Sequence, residues 1–140
     1  MCDLDRVAEL CAAHAEYERI SVDMAGLSQR MKQEVESSTR RFFILVAEIK
    51  HNIVAYASLT LEYSTWKGAE YLHMDCLFVE PERRGERIGQ QLFEEVLVLS
   101  KKLNVSEIQW QTPTWNQRAI KFYESLGALG SNKTRFHFLI

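Results

Sequence analysis

Apolar positions recur at three- and four-residue spacing from the start of the chain, through Leu4, Val7, Leu10, Cys11, His14 and Tyr17. That spacing puts one buried stripe on an amphipathic helix over roughly residues 4–18. Met24, Leu27, Met31 and Val35 repeat it within "DMAGLSQRMKQEVESS", which predicts a second helix ending near Ser37, with Gly26 weakening its first turn. The period then shortens to two. "RRFFILVAEIK" is dense in β-branched and aromatic residues, His51-Asn52 reads as a turn, and "IVAYASLTLEY" follows, the pattern of an antiparallel hairpin. After the polar turn "STWKG", residues 69–79 read as a third strand that stops at Pro81. Strict alternation sets Tyr71, His73, Asp75, Leu77 and Val79 on one face, and Leu72, Met74, Cys76 and Phe78 on the other.

Helical spacing returns over residues 89–103 through Leu92, Phe93, Val96, Leu97 and Leu99, and "VSEIQWQT" predicts a short strand beginning near Val105. Asn116 is placed to cap a helix carrying Ala119, Ile120, Phe122, Tyr123 and Leu126, with Gly127 as its stop signal. The tail "TRFHFLI" reads as a last strand. The resulting order, two helices, three strands, helix, strand, helix, strand, is that of an α/β or α+β sandwich with helices against a mixed sheet.

A chain of 140 residues supports one core, so residues 1–140 are read as one domain. Apolar residues make up 46% and charged residues 26%, which argues for an ordinary globular protein rather than disorder or coiled coil. The net charge of −2 supplies no general basic field, so nucleic acid is not an expected partner, although Arg83, Arg84 and Arg87 can still meet a phosphate locally. Cys2, Cys11 and Cys76 are odd in number and far apart, as suits reduced thiols in a cytoplasm. The start "MCDLDRVAEL" carries acids where a signal peptide needs bases, and no stretch approaches the ~20 apolar residues of a membrane span. A soluble cytoplasmic protein without a membrane partner is expected.

One loop carries candidate chemistry. "VEPERRGERIGQQL", residues 79–92, runs from a strand through Arg-Arg-Gly and a further glycine into a helix. Free N–H groups at a helix start and the aligned dipole both favour a phosphate there. The same composition also fits a surface turn whose glycines relieve strain and whose charges are solvated.

"CLFVEPERRGERIGQQLFEEV", followed by "NQRAIKFYESLGA", resembles the Gcn5-related N-acetyltransferase (GNAT) superfamily, with its R/Q-x-x-G-x-G/A loop and later N-x-x-A-x-x-F-Y segment. Tyr17-Glu18, Trp66-Lys67-Gly68 and Asp75, three residues before Phe78-Val79, extend the likeness to the diamine (spermidine/spermine) acetyltransferase-like branch. The resemblance implies a mixed, mostly antiparallel twisted sheet flanked by helices, and acetyl-CoA as cosubstrate with no metal. It implies a small-molecule amine acceptor, a homodimer, and direct attack without a covalent enzyme intermediate. Main-chain groups of Leu77, Phe78 and Val79 would hold the pantetheine arm. Arg84, Gly85, Glu86, Arg87, Ile88, Gly89 and Gln90 would hold the diphosphate, with Asn116 and Ala119 also at the cofactor. Tyr123 would protonate the leaving thiolate, and Asp75 or Glu18 would hold the acceptor ammonium or take its proton, with His73 as a spare. Tyr17, Trp66 and Tyr71 would wall the amine pocket. Cys76 would be the nucleophile of a ping-pong route, but alternation points it away from Asp75.

Two departures stand out. Arg87 occupies the fourth position of the loop pattern, where the family prefers glycine, and the strand that usually precedes the first helix has no counterpart. Peptide, protein or aminoglycoside acetylation on the same platform, and a non-catalytic CoA-binding module, are the competing expectations.

Overall fold

The computed structural model describes residues 3–140, so the reading of Cys2 lies outside the described residues. Helix α1 covers Asp3–Tyr17 and α2 covers Leu27–Val35. Asp23 accepts a bond from the Ala25 N–H at 2.9 Å, and Gly26 takes φ 66, so the expected first turn of α2 is replaced by a side-chain-stabilised turn. Strands β1 (Phe42–Ile49) and β2 (Asn52–Ser64) form the expected antiparallel hairpin. Its turn falls one residue earlier than expected, on Lys50 and His51, both at positive φ (49 and 66), as a tight two-residue connection requires. Strand β3 (Ala69–Val79) pairs antiparallel with β2 from Ser64↔Ala69 to Ala55↔Val79. A 3-10 turn at Pro81–Arg83, helix α3 (Ile88–Lys102), strand β4 (Ile108–Gln109) and helix α4 (Gln117–Ser125) complete the order.

The sheet runs β1-β2-β3-β4, with only β4 parallel to its neighbour. It is thus a mixed, mostly antiparallel open sheet with helices on both faces. On one face Leu59, Leu72 and Met74 pack with Leu92 and Val96 of α3; on the other Tyr56 and Phe78 pack with Val7 and Leu10 of α1. Among the described residues the order begins with a helix, as the sequence led one to expect.

Three expectations need correction. Strict alternation along β3 fails at Asp75, because Ser58 opposes Cys76 while Leu59 opposes Met74, leaving Asp75 as the extra residue of a β-bulge. The bulge reverses the phase: Leu77 and Val79 join Leu72 and Met74 on the α3 face, and Cys76 and Phe78 turn toward α1. β4 shrinks to Ile108–Gln109. Residues 134–140 form no strand; Phe136 (88%) and Phe138 (91%) lie exposed, since a strand needs an edge to pair with and these residues pair with none of the sheet's edges.

Candidate active site

β4 pairs with β3 only at Leu72↔Ile108 and His73↔Gln109. Beyond His73 the two strands part, and the bulge at Asp75 bends β3 at that point. From Met74 to Val79 the β3 edge on the β4 side carries no ladder partner among the described residues, which leaves its main-chain donors and acceptors outside the ladder. Those groups can be satisfied only by water or by an extended ligand that behaves as a strand.

The loop after β3 folds back on the end of that strand. Arg84 Nε donates to the Val79 carbonyl at 3.0 Å, and its guanidinium lies 4.9 Å above the Tyr17 ring and 5.4 Å from the Phe78 ring. Its side chain therefore ties the loop to α1 and β3. Gly85 takes φ 89 and Arg87 φ 63, so the arginine does adopt the left-handed turn that the family leaves to glycine, and its carbonyl accepts from Gln91 N at 3.0 Å. Ile88, Gly89 and Gln90 form the first turn of α3, where N–H groups lack intrahelical acceptors. A Cβ on Gly89 would stand 3.4 Å from Phe122 Cζ and 3.6 Å from Val79 Cγ2, so glycine lets α3 start close against β3 and α4. Glu86 is salt-bridged to Arg83 at 3.7 Å.

The C-terminal turn of α1 and the start of α4 are tied together. Asn116, 6% exposed, accepts from Ala119 N at 3.2 Å and from the Tyr17 hydroxyl at 3.4 Å, so one amide caps α4 and bolts it to α1. Tyr17 also lies 6.1 Å from Trp115, over which Arg19 sits at 4.6 Å. His14 stacks on Phe78 at 5.2 Å and 25°, and its Nε2 is 3.3 Å from Glu18 Oε1. Burial lowers the His14 pKa, with the Glu18 carboxylate opposing that shift, so the ring is a neutral imidazole near neutral pH.

Tyr123 packs on Trp110 at 5.0 Å and on Phe122 at 5.2 Å. Burial raises its pKa, and the Glu18 carboxylate acts in the same direction, so it remains a protonated phenol. Asp75 is exposed at the bulge, with Cys76 Sγ 3.8 Å from its Oδ2. Alternation therefore does not separate Cys76 from Asp75. Burial nevertheless pushes the Cys76 thiol up to about 12, which leaves almost no thiolate for a ping-pong route at neutral pH.

Contacts thus link Tyr17 to Arg84 and Asn116, Asn116 to Ala119, Arg84 to Phe78 and Val79, and, through His14, Phe78 to Glu18, whose charge also reaches Tyr123. The structure does not bring Trp66 to this group: that residue is 95% exposed in the β2–β3 turn, at the end of β3 away from Val79. Tyr71 donates to Glu62 at 2.7 Å, and His73 lies across from Thr60 and Gln109. His14 is the residue that sequence reasoning missed, although its i,i+4 relation to Glu18 on one helix was readable. Among the described residues no three His, Cys, Asp or Glu side chains group as metal ligands would, and no helix is long and apolar enough to cross a membrane.

Comparison with known proteins agrees with this geometry. A thialysine N-epsilon-acetyltransferase of Bos taurus is 28% identical over 134 residues, covering 90% of this chain and 78% of its own. A peptidyl-lysine N-acetyltransferase of Salmonella typhimurium is 40% identical over 57 residues, 39% of this chain and 34% of its own. The solved tetramutant of the BH1408 protein of Bacillus halodurans superposes with a TM-score of 0.80 at 26% identity, over 98% of this chain and 94% of that one. The family profile described as Acetyltransferase (GNAT) matches residues 7–128, and with the split sheet and glycine-bearing loop already in place, the chain belongs to that family and is an N-acetyltransferase.

Proposed function

We propose that this single-domain enzyme transfers an acetyl group from acetyl-CoA to a primary amine on a small molecule with an alkyl-ammonium arm, a diamine, a polyamine or a lysine-like compound. The observation that carries the reading is the β3 edge from Met74 to Val79, which has no ladder partner on the β4 side among the described residues and leads into the loop and first turn of α3. Main-chain groups of Leu77, Phe78 and Val79 fit an amide-bearing pantetheine arm, as one strand fits another. The N–H groups of Ile88, Gly89 and Gln90 suit a diphosphate, with Arg84, Gly85, Glu86 and Arg87 shaping the turn. Asn116 and Ala119 lie beside that arm.

An alkyl ammonium has a reference pKa near ~10.4, so Asp75 and Glu18 hold the cation and ease removal of its proton. Tyr123, kept protonated by burial, delivers a proton to the departing thiolate. A lysine-like acceptor is supported by the thialysine-acetylating relative. Peptidyl lysine is the second reading, supported by the Salmonella relative over its shorter match. We also read the protein as cytosolic, from the free thiols of Cys11 and Cys76, and as a homodimer, from the exposed apolar tail.

The test is thiol release from acetyl-CoA against thialysine, lysine, diamines, polyamines, an aminoglycoside and lysine peptides. Turnover of the free amines is expected; turnover of peptides alone would overturn the preferred acceptor. Tyr123→Phe should cut kcat about a hundredfold while leaving the acetyl-CoA Kd unchanged, and unaltered turnover in that variant would remove the phenol from the mechanism.

A further inference from the structure

A second titratable group stands behind the acceptor carboxylate and has no part in the mechanism so far. His14 is held on three sides: its ring stacks on Phe78 at 5.2 Å, meets the Tyr56 ring edge-on at 6.5 Å, and places Nε2 3.3 Å from Glu18 Oε1. Its side chain is 14% exposed and that of Glu18 is 21%, so the pair is shielded but not sealed from solvent. Such packing is more than a surface i,i+4 pair needs, because it fixes the ring plane as well as the distance.

The charged and titratable groups around the ring come from every element packed against it. Glu18, just past the end of α1, and Asp75 on β3 favour its protonated form, whereas Arg84 on the loop opposes it; Tyr56 of β2 is a protonated phenol. A neutral imidazole between two carboxylates in a half-buried site is arranged to gain a proton, and Glu18 is placed to stabilise the imidazolium that results.

The geometry points to His14 and Glu18 acting as one proton-accepting unit for the acceptor amine, with Glu18 touching the ammonium and His14 carrying the proton it gives up. This rests on the amine-acetyltransferase reading above. The alkyl ammonium yields one proton, directly or through water, and the pair passes from carboxylate and neutral imidazole to carboxylate and imidazolium. The freed amine nitrogen then forms the C–N bond at the thioester carbonyl and the C–S bond breaks. The thiolate takes its proton from Tyr123, the nitrogen's second proton restores Tyr123 through water, and the third remains on the amide. The imidazolium returns its proton to solvent.

His14→Phe keeps the ring stack and volume but neither the bond to Glu18 nor the titration; His14→Gln keeps a hydrogen-bonding group without the titration. The wild-type kcat at saturating amine should fall as pH drops and His14 becomes protonated. Both variants should bind acetyl-CoA normally, lose about a hundredfold in kcat at pH 7.5, and lack that acid limb. Glu18→Gln should move the limb to lower pH, because the imidazolium loses its counter-charge. Turnover by the wild type with an unchanged pH profile in His14→Gln overturns this proposal alone, as does a limb unmoved by Glu18→Gln. A wild type that turns over no amine of the panel overturns the small-amine acceptor reading beneath it.

Discussion

Arg87 holds φ 63 and ψ 11 at the cap of α3, a conformation in which a Cβ crowds the following carbonyl at a cost of about 1–2 kcal/mol. Arg87→Gly removes that crowding but loosens the unfolded chain, so a net gain of about 0.5–1 kcal/mol is expected. Thermal melting of the ligand-free protein should show the gain as a rise of about 2–4 °C, whereas a fall would mean that the arginine side chain makes stabilising contacts exceeding the strain. The sequence exposed this conflict because the fourth position of a glycine-rich turn is a statement about backbone geometry. The neighbourhood of His14 was not legible in the same way. Its stacking on Phe78 depends on which face of β3 Phe78 occupies, and the bulge at Asp75 decides that face.

At the scale of elements, periodicity located α1, β1, β2, β3 and α3 to within a residue or two, since each sets a row of apolar positions against the core, fully buried in α1, β2, β3 and α3 and half-buried in β1. It failed where a partner rather than a pattern decides the outcome. A bulge is set by how two strands register, and nothing in "YLHMDCLFV" alone marks Asp75 as the extra residue. α4 was legible because its signal is local: Asn116 ahead of Ala119 and Tyr123 has the chemistry of a cap. That amide is buried and serves both the Ala119 N–H and the Tyr17 hydroxyl, so Asn116→Ala should cost about 1–2 kcal/mol and quicken hydrogen exchange at Ala119. Asn116→Asp retains an acceptor and should recover most of the loss. Equal destabilisation by both would show that the acceptor oxygen is not what matters.

For the whole molecule, the unmet requirement is at the C-terminal end. Phe136, Phe138 and Ile140 alternate with Arg135, His137 and Leu139, a strand pattern of seven residues counted from Thr134, yet Phe136, Phe138, Leu139 and Ile140 are each 88% exposed or more. The sheet ends on open edges at β1 and β4, and β4 is only two residues long. A strand pattern without an edge and a sheet with spare edges satisfy one another between two copies, and a two-fold arrangement buries both tails at once. Sedimentation velocity should therefore find a dimer at tens of micromolar, and removal of residues 134–140 should convert it to a folded monomer, judged by unchanged far-UV circular dichroism. A wild type that sediments as a monomer, or a truncated chain that still dimerises, would assign the exposed aromatics a role other than pairing two copies.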